Sequence, residues 1–182
     1  MIEPLNSRMS LRGSPVRAAI ALGGNLGNSQ RILSEAMAAI DCEAGITVIA
    51  RSPFYKTAPV GPPQPDYINA CVMVETVLTP RSLLHRLLAI ETRFGRIRQE
   101  RWGARSLDLD LLLFGDQIID LPGLTVPHPR LHERPFVLVP LRDIAPDWSH
   151  PIFGKTIAQL LEPLPVAGVK SLAEAIISPQ SC

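Results

Sequence analysis

The chain has 182 residues, a length that suits one domain with a single core. Hydrophobic residues make up 46% of it and charged residues 19%, with 18 prolines, which is the composition of a globular protein rich in turns rather than of a disordered one. The net charge of +1 excludes a general attraction to nucleic acid or an anionic membrane, and no apolar run approaches the ~20 residues that span a bilayer.

The first elements in chain order are a strand, a glycine turn and a helix. Residues 16–22 (VRAAIAL) predict a buried strand that runs into a turn with glycines at 23, 24 and 27. Asn28 or Ser29 is expected to cap a helix that ends near residues 42–45. The glycine spacing matches neither G-K-[ST] nor G-x-G-x-x-G, so a tight turn is predicted, with backbone contacts to an anion or a polar ring as the alternative.

The middle of the chain predicts two strands, a long loop and a second helix. Residues 46–50 (ITVIA) predict a strand, and residues 52–65, with five prolines, predict an extended surface loop that can close over a ligand. Residues 67–78 predict the longest strand, with Tyr67 and Asn69 on the same side. Thr79 and Pro80 then begin a helix whose apolar stripe includes leucines at 83, 84, 87 and 88 and also Glu91.

The last predicted elements complete an α+β domain. Residues 106–114 (SLDLDLLLF) predict a strand, residues 115–120 a short hairpin, and residues 134–141 the beginning of a short helix. The β-α-β runs lack regular parallel alternation, so we predict a mixed or antiparallel sheet with packed helices, in the manner of ferredoxin-like folds. We divide the chain into an extension at 1–15, a main domain at 16–162 and a peripheral tail at 163–182.

The location follows from the cysteines and from the N-terminus. Cys42, Cys71 and Cys182 lie far apart, which fits neither a disulfide framework nor a zinc site and predicts a reducing, cytoplasmic compartment. Residues 1–15 lack the apolar core of a signal peptide. Their arginines and serines leave open a transit peptide or an extension upstream of a start at Met9.

Asp108 and Asp110 form the sharpest motif. Residues two apart in a strand point to the same face, so we expect the carboxylates ~6–7 Å apart while leucines at 107, 109 and 111 face the core. Two hard carboxylates with substrate phosphates suit Mg²⁺. A solvated sheet edge is the alternative, but the expected continuation of the same face with Leu112 and Phe114 weighs against it.

An arginine-rich segment comes just before these aspartates, and its basic and aromatic residues are Arg93, Arg96, Arg98, Arg101, Trp102 and Arg105. Guanidinium groups bind phosphate oxygens bidentately, so a glycine-containing arginine loop beside a metal pair predicts a clamp for the phosphates of ATP. A single-stranded nucleic-acid patch is the alternative, although the adjacent acids would repel a phosphodiester backbone unless a metal intervened. Trp102 is predicted to act as a lid residue that can also cover a flat heterocycle.

His128 lies in a loop after a valine and a proline. It could donate to a phosphate or act as an acid, or it could be a structural histidine. A zinc pair with His132 is disfavoured because no cysteine lies nearby.

Several separated segments resemble, in the same order, the 6-hydroxymethyl-7,8-dihydropterin pyrophosphokinase family over roughly residues 17–150: ALGGNLGN, SPFYKTAPVG, QPDYINACVMVET, IETRFGRIRQERWGARSLDLDLLLFG and VPHPRLHERPFVLVPL. The resemblance implies a three-layer α/β/α fold with a largely antiparallel sheet. It also implies transfer of the diphosphate of ATP to the hydroxymethyl group of a reduced pterin in folate biosynthesis, with AMP as the other product. We expect two Mg²⁺ ions with ATP, and a monomer without a nucleic-acid or membrane partner.

The resemblance assigns roles position by position. Asp108 and Asp110 would hold the Mg²⁺ ions, and Arg96 and Arg105 would act in the transfer. The residues implied to bind ATP are Glu91, Arg98, Trp102, His128 and Arg134. The residues implied to bind or enclose the pterin are Phe54, Thr57, Pro59, Val60, Tyr67, Asn69, Trp102 and Phe136. Two departures affect the nucleotide side: the segment from Arg98 to Trp102 is one residue shorter than in well-known relatives, and Pro129 stands where they often place an aromatic residue.

Overall fold

A six-stranded sheet lies at the centre of the part of the chain that a computed structural model describes, residues 14–59, 63–95 and 104–172. The strands in chain order are β1 (Val16–Gly24), β2 (Ile46–Arg51), β3 (Tyr55–Thr57), β4 (Tyr67–Thr76), β5 (Asp108–Phe114), β6 (Ile119–Leu121), β7 (Leu124–Val126) and β8 (Val169–Ser171). The central sheet has the order β5-β1-β4-β3-β8, and β2 pairs with the second half of β4, while β6 and β7 form a separate hairpin. Every described strand pair is antiparallel.

Helices cover both faces of this sheet. The helices are α1 (Ser29–Asp41), α2 (Pro80–Arg93), α3 (Pro135–Ile144) and α4 (Ile157–Leu161). The predicted caps are confirmed: the Asn28 side chain accepts a hydrogen bond from the Arg31 N–H, and the Thr79 side chain accepts one from the Ser82 N–H. Helices α1 and α2 pack on one core cluster with Ile20 and Leu22 of β1, whereas α3 and α4 pack on another with Ala19 and Ala21 of β1. The predicted three-layer α/β/α arrangement with a mostly antiparallel sheet is therefore confirmed.

Three local predictions differ from the structure. Residues 52–65 are not loop throughout, because Tyr55–Thr57 form β3, where no proline interrupts the ladder to β4. The hairpin lies at β6 and β7 rather than at 115–120, with Gly123 at φ +76° in its turn. Neither α4 nor β8 was predicted: α4 begins with a capping box between Thr156 and Gln159, and β8 adds to the edge of β3.

The face of β5 changes at a bulge. Ala19 lies opposite Leu113 and Ile20 opposite Leu111, so Leu112 is an extra residue in the ladder. Leu112 and Leu113 therefore both join the core under α3, while Phe114 packs under α1 and α2. The prediction that Phe114 continues the face of the aspartates is wrong for this reason.

Tyr55 ties β3 to α3. Its hydroxyl donates to Oδ2 of Asp143, and burial together with the Asp143 charge raises the pKa of Tyr55 to about 12.

We expect Tyr55→Phe to lower the free energy of unfolding by about 1–2 kcal/mol at neutral pH, because Asp143 loses its donor. A tyrosine in the unfolded chain ionises near pH 10, whereas Tyr55 in the folded wild type keeps its proton up to about pH 12. Between these pH values the free energy of unfolding of the wild type therefore falls, and its difference from that of the variant narrows. Urea unfolding of both proteins across this pH range measures the difference in free energy of unfolding. A difference that stays constant would contradict the raised pKa of Tyr55.

Candidate active site

The two predicted carboxylates lie together over small residues of β1. Asp110 is opposite Ala21 and Asp108 opposite Gly23 in the antiparallel ladder, and these four residues line one cavity of about 310 Å³. Alternation places both aspartates on the face of the sheet that carries α3. The small partners leave room above the sheet for a ligand next to the carboxylates.

Two arginines approach these aspartates from different loops. Arg105 Nη1 lies 2.7 Å from Asp108 Oδ2, and Arg134 Nη1, one residue before α3, lies 3.3 Å from Asp110 Oδ2. The aspartate side chains keep 24% and 35% exposure, so each pair is worth at most ~1 kcal/mol to stability. Their significance is positional: carboxylates and cations alternate along one wall of the cavity.

His128 lies beside the same wall. Its Nε2 is 3.9 Å from Asp110 Oδ2, and its Nδ1 accepts a hydrogen bond from the Arg130 backbone N–H. The backbone N–H of His128 donates to the Leu112 carbonyl. Burial lowers the pKa of His128, an effect that the charge of Asp110 opposes. With Nδ1 used as an acceptor, the neutral ring carries its proton on Nε2, the nitrogen nearer the aspartates.

The opposite wall is built from β3, β4 and the start of α3. Asn69 Nδ2 donates to Thr57 Oγ1 at 2.9 Å, and both side chains are buried. Tyr67 and Phe136 add aromatic surface, and the Arg134 guanidinium carbon lies 5.8 Å from the centre of the Phe136 ring. This wall combines flat apolar surface with an oriented amide.

The cavity contains Arg105, Asp108, Asp110, His128, Arg134, Thr57, Tyr67, Asn69 and Phe136 among the predicted site residues. Phe54 is not brought there, because it packs against the core on the α1 and α2 face. Pro59 follows the cavity-lining Ala58 without lining the cavity itself. Arg96, Arg98, Trp102 and Val60 lie outside the described residues. Their roles remain predictions.

Glu91 has a different environment from the other predicted nucleotide ligands. It is 2% exposed, and its Oε1 accepts from the Leu109 N–H at 2.7 Å, across the free edge of β5. It does not line the cavity. The contact fixes the strand that carries both aspartates, and a direct role with nucleotide stays a prediction.

Two contacts missed by sequence reasoning hold the segment around Arg105 beside the end of β1. Asn25 bonds to the backbone of Arg105, and Gly24 packs so closely on the neighbouring segment that a Cβ there would lie 2.3 Å from the Ser106 carbonyl oxygen. Ser106 Oγ in turn donates to the Phe94 carbonyl, which joins the two ends of the arginine-rich segment. The glycines of residues 23–27 predicted a tight turn but not this close approach to Ser106.

We expect Gly24→Ala to destabilise the fold by about 1–3 kcal/mol, because the added methyl group meets backbone rather than a movable side chain. Gly168→Ala is the matched control, since no heavy atom lies within 4 Å of a Cβ at that position. Thermal and urea unfolding of both variants measure the difference. Equal stability of the two would contradict the close approach.

The described residues contain no group of three or more histidine, cysteine, aspartate or glutamate side chains gathered as a complete metal cage. A pair of carboxylates is nevertheless a suitable Mg²⁺ site, because this ion keeps several waters and takes further ligands from substrate phosphates. None of the helices in the described ranges is long and apolar enough to cross a membrane.

Comparison with known proteins agrees with this geometry. Residues 19–146 match the family model of 7,8-dihydro-6-hydroxymethylpterin-pyrophosphokinase. A 2-amino-4-hydroxy-6-hydroxymethyldihydropteridine pyrophosphokinase of Synechocystis sp. is 50% identical over 159 residues, covering 87% of this chain and 82% of that protein. The protein of the same name from Pseudomonas aeruginosa is 42% identical over 160 residues, covering 87% of this chain and 98% of its own.

Solved structures show the same fold at low sequence identity. The HPPK-DHPS of Plasmodium falciparum, wild type, matches with a TM-score of 0.66 and 18% identity over 85% of this chain and 45% of that chain. Its complex with STZ-DHP matches with a TM-score of 0.68 and 17% identity, over 85% of this chain and 44% of that chain. The chain thus spans less than half of these longer proteins, and the predicted ferredoxin-like α+β fold is confirmed. The chain belongs to the 7,8-dihydro-6-hydroxymethylpterin-pyrophosphokinase family.

Proposed function

We propose that this chain transfers the terminal diphosphate of ATP to the hydroxymethyl group of 6-hydroxymethyl-7,8-dihydropterin and releases AMP. The family is one of pyrophosphokinases that act on this pterin in folate biosynthesis. The observation that carries the proposal is the division of one cavity into a wall of paired carboxylates and cations and a wall with an oriented amide and aromatic rings.

The amide wall suits the pterin. Because Asn69 Nδ2 donates to Thr57, the amide orientation is fixed and Oδ1 forms its acceptor end. A pterin edge offers N–H donors to such an acceptor, and its flat ring suits the aromatic surface of Tyr67 and Phe136. The hydroxymethyl group would then point along the cavity toward the aspartates.

The charged wall suits the phosphates and Mg²⁺. Asp108 and Asp110 would hold two Mg²⁺ ions, and their oxygen-only donor set fits this ion. Bound Mg²⁺ would neutralise phosphate charge and polarise the phosphorus that is attacked. Arg105 and Arg134 contact the aspartates through partly exposed ion pairs, which are weak enough to exchange for phosphate oxygens when the nucleotide binds.

The reaction needs no covalent intermediate on the protein. The pterin hydroxyl oxygen forms a bond to the β-phosphorus in line with the leaving group. The bond from this phosphorus to the bridging oxygen breaks, AMP leaves with that oxygen and the bonding electrons, and the hydroxyl proton is released to solvent. Arg105 and Arg134 stabilise charge on the transferred group, and His128 donates its Nε2–H to a phosphate oxygen. The predicted closure of residues 52–65 and 93–106 over the reactants excludes Tyr55–Thr57, which pair with both β4 and β8, and the Arg105 backbone, which bonds to Asn25. Residues 60–62 and 96–103 lie outside the described residues, so their closure stays a prediction.

Product analysis tests the proposal. The enzyme is incubated with ATP, Mg²⁺ and 6-hydroxymethyl-7,8-dihydropterin, with EDTA in a parallel sample, and the nucleotides are separated. We expect pterin-dependent AMP that EDTA abolishes. Formation of ADP would indicate a simple kinase, and pterin binding without turnover would indicate a binding protein. Salt-sensitive RNA binding without Mg²⁺ would favour the nucleic-acid alternative.

We expect Thr57→Val to raise KM for the pterin about 10-fold with little change in kcat, because Asn69 loses its acceptor and the amide is no longer held in one orientation. Initial rates at saturating ATP measure both constants. Thr125→Val is the control, since Thr125 lies in the hairpin strand β7 and its hydroxyl donates to the exposed Asp120 at 3.4 Å, outside the cavity. An unchanged pterin KM in the Thr57 variant would contradict this placement of the pterin.

We also propose that the enzyme works as a cytoplasmic monomer with no nucleic-acid or membrane partner. The near-neutral net charge of +1 supports the expected lack of a nucleic-acid or membrane partner. Light scattering at working concentration tests the monomer, since a dimer would double the measured mass.

A further inference from the structure

Asn25 bonds to both backbone polar groups of Arg105. It follows β1 directly and is 5% exposed. Its backbone N–H donates to the Arg105 carbonyl at 2.9 Å, and its Oδ1 accepts from the Arg105 N–H at 2.9 Å. Both backbone polar groups of Arg105 therefore bond to one residue that does not itself line the cavity.

The same side chain reaches the opposite wall. Asn25 Nδ2 donates to Gln64 Oε1 and to the Pro65 carbonyl, both at 3.0 Å. Gln64 Oε1 also accepts from the Tyr67 hydroxyl at 3.3 Å. A continuous set of hydrogen bonds thus runs from the Arg105 backbone through Asn25 and Gln64 to Tyr67, across segments 39 to 80 residues apart in sequence.

The Asn25 side chain adds a link to residues 64 and 65 that the packing around Gly24 does not supply. The Asn25 N–H and the close approach of Gly24 to Ser106 already attach the segment around Arg105 to the end of β1. The link to residues 64 and 65 depends on the amide, which has two N–H donors at one end and an acceptor at the other. Aspartate keeps the acceptor and lacks the donors, and alanine lacks both.

We propose that Asn25 is a positioning residue that couples the two walls, so that Arg105 and Tyr67 are placed together around the reacting groups. The inference rests on the proposed action of Arg105 at the phosphates of ATP. Misplacement of a reacting group by about 1 Å can cost ~10²-fold in rate, so a coupling of this kind affects turnover as well as binding.

The three side-chain bonds of Asn25 can be separated by substitution. Gln64→Ala removes one contact on the pterin side, and we expect about a 5-fold rise in pterin KM with kcat within about 2-fold of wild type. Asn25→Asp removes the donors but keeps the acceptor for Arg105, so it should resemble Gln64→Ala with a larger rise in KM. Asn25→Ala should also lower kcat, by about 10-fold or more. Gln64→Ala keeps the test open if the Asn25 variants do not fold, because it places no charge at the buried Asn25 position.

A double-mutant cycle with Arg105→Ala separates positioning from general stability. If Asn25 acts through Arg105, the kcat effect of Asn25→Ala falls below about 3-fold in the Arg105→Ala background, whereas a purely structural role gives the same factor in both backgrounds. Pterin binding without turnover, followed by fluorescence, is the second measurement.

The inference would be overturned if Asn25→Ala lowered kcat by the same factor in the wild-type and Arg105→Ala backgrounds. It would also be overturned if Asn25→Ala and Asn25→Asp changed kcat and KM equally. Failure of the wild-type enzyme to form AMP would instead reject the proposed function, so the two failures are distinguishable.

Discussion

Asp110→Asn is expected to lower kcat by at least about 10³-fold, the loss that follows when several kcal/mol of charge stabilisation disappear from phosphoryl transfer. Asparagine has nearly the same shape and keeps an acceptor for Arg134, so the change removes mainly the negative charge. Asp108→Asn is expected to act similarly, because Asp108 lies on the same face of β5. Both variants should need more Mg²⁺ for half-maximal rate.

The control for these variants is Asp116→Asn. Asp116 is exposed in the turn after β5, at the end of the strand away from the cavity, and its substitution should leave kcat within about 2-fold of wild type. Because the ion pairs of Asp108 and Asp110 are partly solvated, all three variants should unfold within about 1 kcal/mol of the wild type. Retention of more than a tenth of wild-type kcat by Asp110→Asn at saturating Mg²⁺ would argue against the metal site.

Local periodicity explains which parts of the site could be predicted from the sequence. The spacing of Asp108 and Asp110 fixes a shared face in any strand, so their convergence required no knowledge of the fold. Thr79, followed by Pro80, likewise begins α2 as predicted, since capping depends on neighbouring residues. Such features are decided within a few residues of chain.

Long-range pairing explains what could not be predicted. The Ala21 and Gly23 partners of the aspartates depend on a ladder register between distant strands, and the extra residue at Leu112 shifts that register within β5 itself. The contact between Thr57 and Asn69 forms because β3 pairs with β4. This strand was not predicted, since the prolines around it indicated a loop. Asn25 was placed in the predicted turn, but its partners could not be predicted because they lie 39 to 80 residues away.

Substitution of Arg105 separates the roles of cation and metal. Arg105→Ala is expected to lower kcat by about 10²–10³-fold, because a preorganised cation is lost where charge develops. Arg105→Lys keeps the charge but not the planar fork, so it should recover only part of this loss. Arg130→Ala is the control, since Arg130 is exposed and its Nε pairs with Glu133 at 3.3 Å outside the cavity.

The Mg²⁺ dependence of Arg105→Ala distinguishes this loss from that in the aspartate variants. Arg105 Nη1 lies 2.7 Å from Asp108 Oδ2, so its removal takes a competing cation away from a carboxylate that would bind the metal. The Mg²⁺ concentration for half-maximal rate should therefore stay the same or fall in Arg105→Ala, whereas it should rise in Asp108→Asn and Asp110→Asn. Titration of initial rates with Mg²⁺ at saturating ATP and pterin measures it. A higher Mg²⁺ requirement in Arg105→Ala would mean that Arg105 serves chiefly to hold Asp108 in place, because only then does losing the arginine weaken the metal site.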